Sequence, residues 1–355
     1  MVAPFQAHFN PARIIFGPGT LTAVAEELVG LGVSRALLLA TPFQKAEALA
    51  LSVLIGDLSV GVFGNAAMHT PVDVTERALA MFDATNADCV VAFGGGSTIG
   101  LGKAIAYRNG CPQIIVATTY AGSEVTPILG QTENGLKTTV RTASVLPEVV
   151  IYDPLLTLGL PVAMSVTSGL NAMAHSIEGL YAKDRNPVTS LMAVEGIRAL
   201  RDALPVIAQT PQDQDARSDA LYGAWLCGTV LGTVGMSLHH KLCHTLGGSF
   251  NMPHAETHSV LIPHTAAYNA QAAKAELQPA ANLFGGEIGG GLWDYAKSLG
   301  APLALRDLGL SESELDHAAD IAVTNPYWNP RPIERNAIRA LLQNAWAGHR
   351  PELRD

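Results

Sequence analysis

DCVVAFGGGSTIGLGKAIAY, residues 88–107, places an apolar β-branched run, three glycines and a helical segment in that order. The run reads as a buried strand and the segment carrying Lys103 as a helix. Gly94, Gly95 and Gly96 let the backbone approach a ligand closely. The helix behind them offers unpaired N–H groups and a positive dipole end. A Gly-rich strand-to-helix turn can be nothing more than a tight connection. Three consecutive glycines followed by Ser97 favour a phosphate cradle.

Working outward, RALLLAT (35–41), QIIVAT (113–118) and EVVIYD (148–153) are further strand candidates. Helical stretches such as PVDVTERALAMFDATN (71–86) separate them, with Pro71 suited to a first helical position. Alternation of this kind predicts α/β winding on a mostly parallel sheet. After Asp153 the strand-like runs give way to long Ala- and Leu-rich stretches of helical period. SESELDHAADIAV opens with a capping box, Ser311 with Glu314. The expected architecture is a Rossmann-like α/β dinucleotide-binding domain over 1–157, followed by an all-helical domain over 158–355.

Composition narrows the function. The 355 residues are 48% apolar and only 15% charged, which predicts extensive burial in cores or subunit contacts. A net charge of −9, with no basic run, argues against nucleic-acid binding. The apolar run Gly223–Leu238 is shorter than a bilayer needs and rich in glycine, so it reads as one buried helix and no membrane partner is expected. No charged-then-apolar leader stands at the start, so no signal peptide is expected. Four scattered cysteines suit a reducing cytoplasm.

A second polar stretch, TTYAGSEVT, ends the strand 113–118 and brings Thr118, Thr119, Tyr120 and Ser123 to a strand end. Open parallel sheets bind ligands at that rim. Capping of the strand end by the same hydroxyls is the plainer alternative. The strand 35–41 runs into Thr41-Pro42-Phe43-Gln44, with no acid to hold a ribose 2′-hydroxyl or repel a 2′-phosphate. A nicotinamide enzyme built on Thr41 and Phe43 is expected to accept both NADH and NADPH.

The chemistry-bearing stretch is GMSLHHKLCHTLGGSFNMPHAETHSVLIPH (235–264), with His239, His240, His244, His254, His258 and His264. His240 and His244 are spaced i, i+4 on one helix face, as are Asn171 and His175 in SGLNAMAHSIEGLYA. Three imidazoles and one oxygen-bearing side chain could hold a divalent transition metal. Any one of these histidines could equally be a satisfied core residue; the clustering is what points to a site.

IIFGPGT, GGGS, TTYAGSEVT, SLHHKLCHTLGG and PHAETHSVLIPH together resemble the iron-containing alcohol dehydrogenase superfamily along nearly the whole chain. The resemblance implies a dehydroquinate synthase-like architecture with the active site in a cleft between its domains, and a homodimer. It places three histidine ligands on His175, His240 and His254, a further active-site histidine on His244, and a cofactor-side lysine on Lys137. The glycine turn and the strand-end hydroxyls, Gly94, Gly95, Gly96, Ser97, Thr118, Thr119 and Ser123, are the expected cofactor contacts. Two departures stand out. Asn171 replaces an aspartate ligand, and Gly100 replaces the aspartate of GGGSxxD. Lys241 stands where alcohol-oxidising relatives often carry a small residue.

An amide in place of the only anionic ligand, with an ammonium beside His240, weakens a divalent cation's electrostatics. Asn171, His175, His240 and His254 therefore read as a vestigial set, and no metal is expected. The wording of the last four of these blocks implies NAD(P)H-dependent reduction of the C=C bond of maleylacetate to 3-oxoadipate, in the breakdown of resorcinol-type and chlorinated aromatics. For that dianionic small-molecule substrate, Lys241, Tyr120 and His258 are the expected contacts. His244 or His254 would be the proton source, with His240, His175, Asn171 and Lys241 around the reacting atoms. The alternatives are a metal-dependent alcohol or polyol dehydrogenase of the same superfamily and a catalytically silent dinucleotide sensor.

Overall fold

A computed structural model of the chain describes Phe5, residues 12–133 and residues 136–352, with backbone alone for Leu136 and Lys137. Contacts divide it into two units between Leu160 and Pro161. The sequence boundary, placed after residue 157, falls three residues earlier.

The first unit is built on six parallel strands. They are β1 (Arg13–Phe16), β2 (Ala36–Leu39), β3 (Ser59–Phe63), β4 (Cys89–Gly94), β5 (Gln113–Ala117) and β8 (Val149–Tyr152). Their order is β1-β8-β5-β4-β2-β3. Strands β2, β4, β5 and β8 are buried at every position. That explains why they read as continuous apolar runs instead of alternating ones. An antiparallel hairpin, β6 (Ile128–Glu133) with β7 (Leu136–Arg141), stands apart from the sheet. Helices α1 (Val24–Gly30), α2 (Lys45–Ile55), α3 (Val72–Ala84) and α4 (Gly96–Asn109) complete the unit. Leu28, Leu51, Leu38, Val91 and Val116 belong to one core cluster, which joins α1 and α2 to the sheet. Pro71 caps α3 from outside, with extended backbone (φ −62°, ψ 138°), instead of opening it as expected.

This order fixes where a ligand can go. From β2 the chain steps to β3 on one side, then crosses to β4 on the other side and continues to β5. The direction reverses between β2 and β4, and such a reversal opens a crevice at the carboxyl ends of the two strands. Thr41–Gln44 and Gly94–Ser97 follow those two ends directly.

The second unit is helical throughout its described residues. It contains α5 (Val162–Tyr181), α6 (Pro187–Gln209), α7 (Gln214–Thr233), α8 (Leu238–Ser249), α9 (His254–Asn269), α10 (Lys274–Leu283), α11 (Ile288–Ser298), α12 (Leu315–Val323) and α13 (Arg335–Ala347). Leu242, Leu246, Leu261, Leu315 and Leu342 form part of its core. The capping box of Ser311 and Glu314 is present ahead of α12, with Ser311 N–H donating to Glu314 at 2.7 Å.

The run Gly223–Leu238 is not one helix. It breaks after Thr233, and α8 leaves at 94° to α7. The cause is a carboxylate from elsewhere: Glu178 of α5 accepts the Ser237 and His239 N–H groups at 3.0 and 2.7 Å. Those are donors that the start of a helix leaves unpaired, and a charged acceptor binds them strongly. No single helix among the described residues is long and apolar enough to cross a membrane.

Candidate functional site

The loop at the β2/β4 crevice is shaped for a close-lying anion. Gly94 has φ +151°, and a Cβ there would lie 2.6 Å from Thr98 Oγ1. A Cβ on Gly95 would press on Thr119 at 2.7 Å, whereas Gly96, at the first position of α4, faces open space. No acid stands in the first turn of α4. Thr98 Oγ1 and Ser123 Oγ are buried without a hydrogen-bond partner. Gln44 donates to Thr118 Oγ1 at 2.9 Å, tying the end of β2 to that of β5, and Phe43 beside it is 94% exposed. The glycine loop, Ser97, Thr118, Thr119, Ser123, Thr41 and Phe43 therefore gather at neighbouring strand ends. Orphaned hydroxyls and an uncrowded helix start fit a dinucleotide phosphate.

One residue of this unit departs from expectation. Tyr120 is fully buried, which leaves no face for a substrate. Lys137 was expected near the cofactor; its side chain lies outside the described residues. Lys103, behind the loop, donates to Ser123 O and Thr126 O, both at 2.6 Å, and to Thr126 Oγ1 at 2.9 Å. It anchors the turn after β5. Burial pushes its ammonium down to about 7, against the pull of Glu124. Gly100 also has a local reason: Thr70, in the left-handed region at φ +49°, fills the space a Cβ would need.

In the helical unit, α5, α8 and α9 bring the histidines together. Two relays result. Glu178 is 1% exposed and lies 2.7 Å from His240 Nδ1. The Nδ1–H of His240 donates to that carboxylate, and its Nε2 faces His175 Nδ1 at 3.1 Å. In the second relay Thr265 Oγ1 donates to the Leu261 carbonyl and accepts from His239 Nδ1 at 3.0 Å. His239 Nε2 then accepts from His258 Nδ1 at 2.9 Å. That leaves His258 Nε2 as a buried lone pair without a partner.

A third group is more open. His244 Nδ1 meets the Tyr327 hydroxyl at 3.0 Å. Lys241 donates to the Thr324 carbonyl at 2.8 Å, and its Nζ lies 5.8 Å from the centre of the Tyr327 ring. Lys241, His244 and His254 are half-buried, whereas Asn171, His175 and His240 are 3–4% exposed. His258, expected to touch substrate, is fully buried with Nδ1 engaged, and it supports the rings around it. Glu178 and Tyr327 escaped the sequence reading. Glu178 has a usable signal: with Asn171 and His175 it makes an i, i+4, i+7 face.

These positions offer a divalent cation no anionic ligand. His175 and His240 are bonded to each other, and Asn171 supplies a neutral amide whose Oδ1 is buried without a donor. Among the described residues, the one trio of His, Cys, Asp or Glu donor atoms within 4.8 Å of one another is His239, Cys243 and His258. The expected ligand positions form no such group.

Comparison with known proteins decides the family. The model for "Iron-containing alcohol dehydrogenase" matches residues 11–154, and that for "Fe-containing alcohol dehydrogenase family, C-terminal" matches residues 165–346. The chain belongs to the iron-containing alcohol dehydrogenase family. Within that family it is 63% identical to maleylacetate reductase of Rhizobium sp. (strain MTP-10005), covering 98% of this chain and 99% of the relative. It is 54% identical to maleylacetate reductase of Burkholderia cepacia, covering 96% and 97% of the two chains. The crystal structure of maleylacetate reductase from Agrobacterium tumefaciens superposes with a TM-score of 0.95 at 63% identity, covering 98% of this chain and 100% of that one. The family's two-part architecture is thus the one observed, a parallel α/β unit followed by a helical one.

Buried histidines set an acid limit on stability. Burial, with His349 nearby, lowers His264 from 6.5 to about 4. Burial chiefly, with neighbouring histidines, lowers His239 and His258 well below that ordinary value. Below pH 6.5 the unfolded chain takes up protons that the folded chain refuses, so stability falls as pH falls. Each group contributes about 1.4 kcal/mol per pH unit while it is in its window. Thermal melting is expected to drop steeply from pH 6.5 to pH 5. A Tm unchanged over that range would contradict neutral burial of these rings.

Proposed function

We propose that the chain reduces the C=C bond of maleylacetate to give 3-oxoadipate, with NADH or NADPH as reductant and no metal ion in the site. The observation carrying this reading is the identity with maleylacetate reductases over almost the full length of both chains. Asn171 and Lys241, where alcohol-oxidising relatives differ, support it.

The substrate is a dianion whose alkene is conjugated to a ketone. A reduced nicotinamide supplies a hydride, and the carbon β to the ketone is where such an alkene accepts one. Negative charge then grows on the ketone oxygen, and the carbon beside the ketone takes a proton. This chain's residues serve those two demands. Lys241 has one N–H on Thr324 and two left for a substrate carboxylate. His244 holds Tyr327 through Nδ1 while its ring is half-exposed, which suits it to deliver a proton. Glu178 holds the ring of His240 through Nδ1, and His240 in turn holds the ring of His175, so both imidazoles are fixed in place beside the reacting atoms.

The test is an assay of NADH consumption with maleylacetate, with the product identified. One NADH per maleylacetate and 3-oxoadipate as product are expected. NAD⁺-dependent oxidation of alcohols or diols, with no turnover of maleylacetate, would overturn the reading. Cofactor choice gives a separate check. No acid follows β2 within Thr41–Gln44, so kcat/KM with NADH and with NADPH should differ by less than about a hundredfold, or roughly 2.7 kcal/mol. A larger gap would mean that an acid elsewhere reaches the ribose.

A further inference from the structure

One polar cavity in the helical unit has no part in that chemistry. It measures about 410 Å³, within the range of small-molecule sites, and lies between α9, α13 and the segment 349–352. His264 lines it. Six residues beyond His258 on α9, its side chain leaves the helix about 120° away from that ring. His264 is 3% exposed, and its Nε2 is buried with no hydrogen-bond partner. A partnerless polar atom at that depth is costly unless something from outside meets it.

The charges around the cavity are unequal. Arg350 is neutralised by Asp294 at 2.8 Å and Glu287 at 3.7 Å, and Glu352, the one acid in the lining, also acts on it. Arg331 has no ion-pair partner among the described residues. Its guanidinium lies 4.2 Å over the Tyr268 ring and gives one N–H to the Tyr268 carbonyl at 3.1 Å. Stacking fixes the plane of the fork while its other donors stay uncommitted. The opposite wall is apolar, formed by Ala337, Ala340 and Leu341.

We propose that this cavity is a second ligand site, separate from the catalytic histidines, for a small organic monocarboxylate. The carboxylate takes the Arg331 fork, His264 meets a polar edge, and the apolar body lies on the α13 wall. Arg331, the lining cation with no ion pair among the described residues, offers its fork to one carboxylate. Phosphate would bring a second charge without a partner and has nothing to place against the alanines.

The test titrates benzoate calorimetrically into the wild type, Arg331→Gln and Ala340→Trp, with inorganic phosphate as the comparison anion. The same titration into Lys241→Ala separates this cavity from the catalytic site. Saturable binding of one benzoate per chain is expected, unchanged by Lys241→Ala and abolished by Ala340→Trp. Arg331→Gln should weaken it at least about tenfold, the size of a charge-assisted pair. Phosphate should bind at least about tenfold more weakly than benzoate. No saturable binding, binding that survives Arg331→Gln undiminished, binding lost in Lys241→Ala, or phosphate as tight as benzoate would each overturn the proposal. Arg331 is exposed, so its variant folds whether or not the filled-cavity variant does.

Discussion

Glu178→Gln is expected to lower kcat by about 10²–10⁴-fold, the loss typical when a ring's tautomer and orientation are no longer imposed. The carboxylate holds His240 Nδ1 at 2.7 Å and caps the start of α8 through Ser237 and His239. Glutamine cannot do both. One of its terminal atoms is a donor, and every group facing Glu178 in this cluster is itself a donor. The start of α8 is therefore strained at the same time, and a lower Tm should accompany the lost turnover. Two further readouts separate positioning from simple damage. NADH affinity should stay near wild type, because the glycine loop belongs to the other unit. Glu178→Asp, which keeps the charge, should recover part of kcat. Full activity in Glu178→Gln would mean that His240 needs no orienting partner.

How much of this was legible before the structure depends on whether a signal was local. The β4–loop–α4 unit was readable because an apolar run, three glycines and a helix are contiguous in Asp88–Tyr107. His240 with His244, and Asn171 with His175, were readable because helical spacing puts i and i+4 on one face. Glu178 was passed over because one acid on an otherwise apolar helix reads as a solvent-facing position. Only the fold shows it pointing at the next helix but two. The same carboxylate explains the misread Gly223–Leu238 stretch, since apolar continuity carries no record of a break imposed from α5. Tyr327 lies in the Pro-rich NPYWNP stretch, where no periodicity announces a side chain. Tyr120 and His258, expected at the substrate, are fully buried, a depth that nothing local in the sequence announces.

His244→Ala is expected to lower kcat by about 10²–10⁴-fold with little change in KM, since a proton donor acts as the enolate forms. Tyr327→Phe removes only the hydroxyl at 3.0 Å from Nδ1 and should cost about tenfold, the scale of one hydrogen bond. Lys241→Ala should instead raise KM and leave kcat nearly intact, because a carboxylate clamp holds ground and transition states alike. His239 and His264 lie off the His240–His244 face and are buried, so their alanine variants should show a lower Tm with kcat retained. If His244→Ala keeps near-wild-type kcat while His239→Ala does not, the proton comes through the second relay.

The central claim is that these imidazoles work without a metal. Its most direct test is metal content and activity measured on one preparation, before and after prolonged chelation, with maleylacetate and NADH. The account predicts well under one metal ion per chain and undiminished turnover after chelation, because Asn171 supplies no charge and His175 and His240 are bonded to each other. Stoichiometric iron or zinc, with activity lost on its removal and restored on its return, would contradict it.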